Sequence, residues 1–416
     1  MVVETSRRWA AATAAVILIW VFFAIRLMIA DVWDETNGML AFSNPTTTLA
    51  QKVSFVLTSS LGFWRPLPTL MVTVVLHFIR DFDVSWRVLR AVNIAMMLAA
   101  LWLLSRVIAE SVEKPSAALR LAFTAAFLFS GSAVMAVGWY ADVFDASVLL
   151  LLAAGTLLLV RRRAIEAGVV FGAAFFCKET AALAFPFLLM LLAARRITLR
   201  QSLQAGIPAA ILGAVYFGFR SRIVPFGGEG DIHGFVPEHL WPTLVHLGES
   251  FWRQTLKGSG PGVLGFAALA LSLAALRRPR LVAAAVAFLC AMAVLYWGMF
   301  GEYQNGVVIH HLNFIGRLYL VPVSLVLTVL AIERRTIAIA LLCIPIFLGG
   351  YTTWRDHARF QRMYRRIYRT AREAPTKPLL VHYPPKLLDD TVRGIKVGDI
   401  PEAPVRVDAK TGRLVF

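Results

Sequence analysis

Charged residues are scarce in this sequence. Charged side chains make up 16% of its 416 residues, whereas a water-soluble domain carries about 25%. Residues 10–25 contain no charged side chain, and residues 67–79 contain only a histidine as an ionisable group. These long apolar runs exclude a soluble enzyme fold and indicate a membrane protein.

Cysteine is scarce too, since the chain has three, all inside apolar runs. They are expected to be small core residues and not a disulfide framework or metal ligands. The sequence also lacks a Gly-rich phosphate loop and a His-Glu-x-x-His helix, which argues against a cytoplasmic nucleotide as donor or acceptor. The adjacent pair His310 and His311 is weak evidence for a metal site, because such a site usually needs three or four well-placed ligands, and His233 is separate in the sequence. No metal site is therefore predicted.

Basic residues exceed acidic ones by 42 to 25, which gives a net charge of +17. The Lys and Arg residues occur in short clusters between the apolar runs, and no RRM-like, zinc-finger or helix-turn-helix signature accompanies them. The clusters are therefore interpreted as anchors that fix the orientation of membrane helices. A nucleic-acid partner is not expected.

The apolar runs predict eleven transmembrane spans of 13–21 residues. These are residues 10–29, 88–108, 119–137, 146–160, 164–176, 181–194, 203–219, 262–276, 281–300, 318–332 and 337–351. With this number of spans all the basic clusters between them fall on one side, which the positive-inside rule makes cytoplasmic. The fold class expected is an all-α polytopic membrane protein.

Two regions follow from this topology. Residues 1–352 form the transmembrane domain, whose first external loop covers residues 30–87, and residues 353–416 form a short external segment. The apolar run 67–79 is short for a span, and counting it as one would put the basic clusters on alternating sides. It is therefore interpreted as a juxtamembrane or re-entrant helix in the external loop. Beyond residue 375, alternating apolar residues among Pro and Gly predict an irregular or β-containing segment.

The first external loop contains the densest group of acids. Asp31, Asp34 and Glu35 follow the first span directly, where a carboxylate can ionise and still reach a lipid headgroup. The alternative interpretation is a solvated turn or a helix cap. Further along the loop, Arg65 precedes Pro66, and a guanidinium there is suited to bidentate phosphate recognition.

Three more charged motifs are predicted on the same external face. Asp142 and Asp145 open the fourth span, Lys178 and Glu179 lie at the tip of a helical hairpin, and Arg317 opens the tenth span. Ionisable residues near the apolar layer usually pair with one another or line a functional cavity. Lys178 and Glu179 could also be a local ion pair, and Arg317 could be an interfacial anchor.

The order of these motifs resembles the GT-C superfamily, whose members are polytopic glycosyltransferases that use polyprenyl-phosphate-linked sugars. The protein O-mannosyltransferase and lipid A aminoarabinose transferase type is the most similar. The segments that carry the resemblance are Trp33-Asp34-Glu35, Arg65-Pro66-Leu67, Tyr140 to Leu152, Lys178-Glu179, Gly316 to Pro322 and Trp354-Arg355-Asp356. The sequence departs from the family pattern in the second acid (Glu35), in the residue before the Lys-Glu pair (Cys177) and in the residue after Arg317, which is Leu318.

The resemblance implies an inverting glycosyltransferase of a bacterial inner membrane, with its active site on the periplasmic face. Asp34 would be the general base that takes the proton of the acceptor hydroxyl, with Asp31 as the alternative base and Glu35 beside them. The cations expected to stabilise the leaving lipid phosphate are Arg65, Lys178 and Arg317. The residues expected to orient these cations or to bind sugar hydroxyls are Glu35, Asp142, Asp145 and Glu179.

The partners implied are a polyprenyl-phosphate-linked sugar donor, membrane lipids and an acceptor that is a glycan, a lipid or a protein. No tetratricopeptide repeats occur in the tail, so the acceptor stays open. No cofactor is assigned, and assistance by a divalent cation stays open as well.

Two other functions are compatible with parts of the pattern. A transporter or a flippase for lipid-linked sugars is the alternative, because ionisable residues in membranes also mark translocation pathways. Transporters tend to have internal repeats and broken helices near mid-membrane, and no such repeat is evident here. The third interpretation of the sequence is a non-catalytic partner in an assembly complex. In such a protein the carboxylate base is dispensable.

Replacing Asp34 separates these functions. If Asp34 is the base, cells carrying Asp34→Asn and cells lacking the protein accumulate the same polyprenyl-phosphate sugar and lose the same surface glycan, because an amide cannot take the hydroxyl proton. Mass spectrometry of lipids and glycans from the two strains measures both effects. A wild-type profile in the Asp34→Asn strain would contradict the assignment and favour transport or scaffolding.

Overall fold

The structure is a computed structural model. It describes residues 2–26, 47–58, 64–79, 82–138, 143–223, 237–241, 243–245, 278–300, 319–343, 346–348, 350–351, 354–355, 379–380, 404–408 and 413–415.

Most of the described residues are helical. The α-helices are α1 (Val2–Arg26), α2 (Leu49–Thr58), α3 (Pro66–Phe78), α4 (Phe82–Ser111), α5 (Ala117–Leu128), α6 (Gly131–Gly138), α7 (Val143–Val160), α8 (Ala164–Phe175), α9 (Ala184–Ala193), α10 (Leu199–Ile223), α11 (Pro279–Phe300) and α12 (Leu320–Ile332). Two 3₁₀ helices cover Glu179–Leu183 and Pro237–His239. Near the C-terminus, β1 (Leu379–Leu380), β2 (Pro404–Asp408) and β3 (Arg413–Val415) form an antiparallel sheet in that order.

Within the described residues, five helices are long and apolar enough to cross a membrane. These stretches are Trp9–Arg26, Arg87–Ser111, Val143–Val160, Leu199–Ile223 and Pro279–Gly298. Shorter apolar helices include α3, α5, α8 and α12. The protein is therefore an α-helical, multi-pass membrane protein, as the sequence predicts. The count of eleven spans stays a prediction, because residues 262–276 lie outside the described residues and several apolar helices are shorter than a full span.

One face of α10 is an apolar stripe that no described part of the chain covers. Leu199, Leu203, Ile207, Ile211 and Val215 follow one another at four-residue intervals and are all exposed. Residues at this spacing share one face of a helix. An exposed stripe of this length is typical of a helix that faces lipid.

The opposite face of α10 packs tightly against α8. A Cβ atom added to Gly168 would lie 2.3 Å from the Ala205 carbonyl oxygen, and one added to Gly172 would lie 2.6 Å from the Leu212 Cβ atom. Small residues allow membrane helices to approach this closely. The buried core continues between α4, α7, α8, α9 and α12. Its fully buried side chains include Leu104, Leu149, Phe171, Phe187 and Leu325.

Arginine side chains tie several helices together at one end of the bundle. Arg161, directly after α7, contacts Glu110 of α4 at 2.7 Å. The Arg196 guanidinium, after α9, donates to the Ser111 carbonyl oxygen of α4 at 2.9 Å and to the Ile332 carbonyl oxygen of α12 at 3.0 Å. We call this end, where α4, α7, α9 and α12 finish, the basic end.

The starts of other helices lie at the basic end too. Arg278, just before α11, contacts Glu333, which directly follows α12, at 3.2 Å. Arg334 donates to the Glu113 carbonyl oxygen at 2.8 Å. These contacts gather the basic clusters near residues 106–114, 161–163, 195–196, 278–280 and 334–335 at one end, as the sequence indicates. That this end faces the cytoplasm stays a prediction.

Helix α3 stays at the end opposite the basic end. Val72 and Leu76 of α3 pack in one cluster with Val56 of α2, with Leu89 near the start of α4 and with Val143 at the start of α7. The starts of α4 and α7 lie at the end opposite the basic end. The turns of α3 that contain Val72 and Leu76 therefore lie at that end too. That residues 67–79 form a juxtamembrane or re-entrant helix stays a prediction.

The close contact of α8 with α10 predicts that an added methyl group at Gly168 destabilises the protein. In Gly168→Ala the new Cβ atom meets backbone, so the helices must separate, and we expect a loss of about 1–3 kcal/mol. The matched control is Gly206→Ala on α10, where a Cβ atom meets nothing within 4 Å and helix propensity improves by about 0.5–1 kcal/mol. Thermal unfolding in detergent micelles compares the two, and equal midpoints would contradict the packing.

Candidate functional site

Glu179 lies at the centre of a buried cluster at the end opposite the basic end. Its Oε2 atom accepts hydrogen bonds from Arg65 Nε at 3.2 Å and Nη2 at 3.1 Å. Its Oε1 atom accepts one from Arg220 Nε at 3.1 Å. All three side chains are buried. Together with Trp64 and Tyr216 they are called the Glu179 cluster.

Tyr216 connects the carboxylate to the backbone of the α3 start. Its hydroxyl lies 2.7 Å from Glu179 Oε1 and 2.9 Å from the Trp64 carbonyl oxygen, and its one proton can be donated to either. The Trp64 ring stacks on the Tyr216 ring, with centroids 5.6 Å apart and planes 21° from parallel. Tyr216 therefore fixes the position of the residue directly before Arg65.

Local sequence explains how these side chains meet. Pro66 at the first turn of α3 suits a helix start, and the Leu67 amide donates to the Phe176 carbonyl oxygen at 3.2 Å. Glu179 begins the 3₁₀ helix that connects α8 to α9. Tyr216 and Arg220 are four residues apart on α10 and so share a face.

A further buried ion pair lies next to the Glu179 cluster. Lys178 Nζ contacts Asp145 Oδ2 at 2.7 Å, with side-chain exposures of 3% and 1%. The neighbour of Asp145 in the chain, Phe144, has its ring 5.4 Å from the Arg65 guanidinium carbon. Because Lys178 also precedes Glu179 directly, this ion pair and the two ion pairs of Glu179 form one charged region.

Among the described residues, this charged region contains three cations (Arg65, Lys178 and Arg220) and two carboxylates (Asp145 and Glu179). Arg220 Nη2 is buried and has no hydrogen-bond partner among the described residues. A buried donor without a partner is costly. Arg220 Nη2 is therefore the position in this region where an anionic oxygen would be stabilised.

The structure brings together four of the residues that the sequence singled out: Arg65, Asp145, Lys178 and Glu179. The others lie outside the described residues, and their roles stay predictions; they are Asp31, Asp34, Glu35, Asp142 and Arg317. Among the described residues no group of three or more His, Cys, Asp or Glu side chains could hold a metal ion.

Sequence reasoning missed Tyr216 and Arg220. The available signal was their four-residue spacing at the end of a long apolar helix, where a buried cation needs a partner. It missed two polar residues of α4 as well. Arg90 and Asn93 are fully buried and donate to the Val137 and Ala136 carbonyl oxygens at 2.9 and 3.3 Å.

Comparisons of the chain with protein-family models, with curated proteins and with solved structures find no match. The functional interpretation therefore depends on the residues of this chain alone.

The Glu179 cluster predicts a large loss of stability in Glu179→Gln. The change leaves two buried arginines without their shared counter-charge, and breaking a buried pair in this way costs about 3–5 kcal/mol. The matched control is Glu166→Gln, which removes an exposed contact with Arg163 at 3.1 Å and is expected to change little. Thermal unfolding in detergent micelles measures both, and a small effect at Glu179 would contradict its central position.

Proposed function

We propose that the protein is a membrane glycosyltransferase that moves a sugar from a polyprenyl-phosphate donor to an acceptor hydroxyl. The single observation that carries this proposal is the contact of Arg65 with Glu179, which are 114 residues apart in the chain. Each belongs to a motif in the ordered series that resembles the GT-C superfamily. Their meeting in one charged region with Lys178 and Asp145 supports a common site for these motifs.

The proposed role of this region is to bind the lipid phosphate. During transfer the acceptor oxygen bonds to the anomeric carbon while the bond from that carbon to the phosphate oxygen breaks, so negative charge grows on the phosphate. Fixed cations stabilise such charge most in a site that excludes water. Arg65 and Lys178 were assigned this role from the sequence. Arg220 joins them because its Nη2 atom donates no hydrogen bond to any residue that the structure describes.

The proton of the acceptor hydroxyl goes to a carboxylate in the proposed mechanism. Asp34 is the proposed base, with Asp31 as the alternative, and attack from the face opposite the phosphate inverts the anomeric centre. Glu179 is proposed as a positioning residue, because it holds the guanidinium groups of Arg65 and Arg220 on two different oxygens.

The proposal includes a location for the reaction. In the eleven-span topology the basic end faces the cytoplasm of a bacterial inner membrane. The Glu179 cluster lies at the opposite end of the helices and would therefore face the periplasm. Donors with the sugar exposed on that face are the expected substrates.

Arg220 provides the test of this function. We expect Arg220→Lys to keep the counter-charge of Glu179, and so to fold, but to reduce transfer by about 10²-fold or more, because an ammonium group cannot replace the second guanidinium donor. Transfer is measured by mass spectrometry, as the ratio of polyprenyl-phosphate sugar to decorated surface glycan in cells. Thermal unfolding of the purified variant checks its fold.

The matched control is Arg222→Lys, two residues further along α10 and exposed. It is expected to transfer like the wild type. Wild-type transfer by a well-folded Arg220→Lys protein would contradict a phosphate-binding role for Arg220. Wild-type levels of both lipids and glycans in cells lacking the protein would contradict the proposed transfer.

A further inference from the structure

Three helices finish at the basic end with the same unusual backbone. Arg162 after α7, Arg195 after α9 and Arg334 after α12 have positive φ angles of 64°, 57° and 58°. In each case the following amide donates to the carbonyl oxygen five residues earlier: Arg163 to Leu158, Arg196 to Leu191 and Arg335 to Leu330. This is the Schellman ending of a helix, and its left-handed position is usually occupied by glycine. Arginine is strained in this conformation. Its presence at a position that favours glycine indicates that the charged side chain itself has a role.

Two of these arginines border a groove of about 860 Å³. The groove lies between the ends of α4, α7 and α9 and the start of α10, and Arg162 and Arg195 are both in its lining. Both are exposed. Neither guanidinium has a hydrogen-bond or ion-pair partner within the part of the chain that the structure describes.

The other charged groups in the lining are already engaged. Glu110 accepts two hydrogen bonds from Arg161, at 2.9 and 2.7 Å, and one from Arg106 at 3.3 Å. Arg196 donates to the carbonyl oxygens that end α4 and α12. The charge that remains available in the groove is therefore that of Arg162 and Arg195, and it is positive.

The chemistry of the groove selects phosphate. Guanidinium groups bind phosphate oxygens in pairs of parallel hydrogen bonds, and a volume of this size accommodates a small organic ligand. The groove lies where helices of the bundle end, and basic pockets between membrane helices bind the headgroups of anionic lipids.

We propose that Arg162 and Arg195 bind a phosphate group in this groove, carried by an anionic phospholipid or by a soluble phosphate compound. The site is at the opposite end of the bundle from the Glu179 cluster. It is independent of the proposed glycosyl transfer.

The double variant Arg162→Gly/Arg195→Gly tests this site without weakening the fold, because glycine suits the left-handed backbone. Short-chain phosphatidylglycerol is titrated onto the protein in neutral detergent, and native mass spectrometry counts the bound lipid. We expect binding to weaken by about tenfold or more for each arginine, since charge-assisted hydrogen bonds are lost. The melting temperature is expected to stay the same or to rise.

Arg334→Gly is the matched control, since it changes the same kind of helix ending outside the groove. It is expected to bind phosphatidylglycerol like the wild type. Titration with inorganic pyrophosphate identifies the source of the phosphate. Competition with the bound lipid supports a soluble phosphate compound, and lipid binding without competition supports a phospholipid. Unchanged lipid binding by the double variant, or an equal loss in Arg334→Gly, would overturn the proposal.

Discussion

The constraint on which this structure depends is that a charge buried among apolar helices needs a partner of opposite sign. Glu179 is the partner of two arginines at once, because one of its carboxylate oxygens accepts from Arg65 and the other accepts from Arg220. These residues come from the start of α3, the 3₁₀ helix after α8 and the last turn of α10. A hydrogen bond that cannot be exchanged for water fixes these three elements more firmly than apolar contacts, which have no preferred direction.

Cations are used differently at the two ends of the bundle. At the basic end, Arg196 donates to the last carbonyl oxygens of α4 and α12, where the helix dipole favours positive charge. Arg334 donates to the Glu113 carbonyl oxygen, just beyond the end of α4. At the opposite end, Arg65, Arg220 and Lys178 are buried against carboxylates. Arginine thus closes helix ends on one side and forms a compact charged region on the other. This difference distinguishes the two ends of the helix bundle without any assignment of membrane sides.

The sequence predicted the helices and the grouping of charges but not the individual contacts. Apolar runs located α1, α4, α7, α10 and α11 well, because a membrane helix must satisfy its own backbone over its whole length. The charge clusters indicated that Arg65, Asp145, Lys178 and Glu179 share an end. They could not indicate that Lys178 pairs with Asp145 and not with its neighbour Glu179, since that choice depends on the 3₁₀ turn. Arg220 was missed because an arginine at the end of an apolar run resembles an interfacial anchor.

The arginines of the bundle differ in what their guanidinium groups contact. Arg196 makes bonds to two helices through its two terminal nitrogens, so holding the bundle accounts for its position. Arg220 gives Nε to Glu179 and keeps Nη2 unpaired among the described residues. At the other end Arg162 and Arg195 border the groove and have no partner for their guanidinium groups within the described residues. An exposed arginine at a position that favours glycine is best explained by its charge.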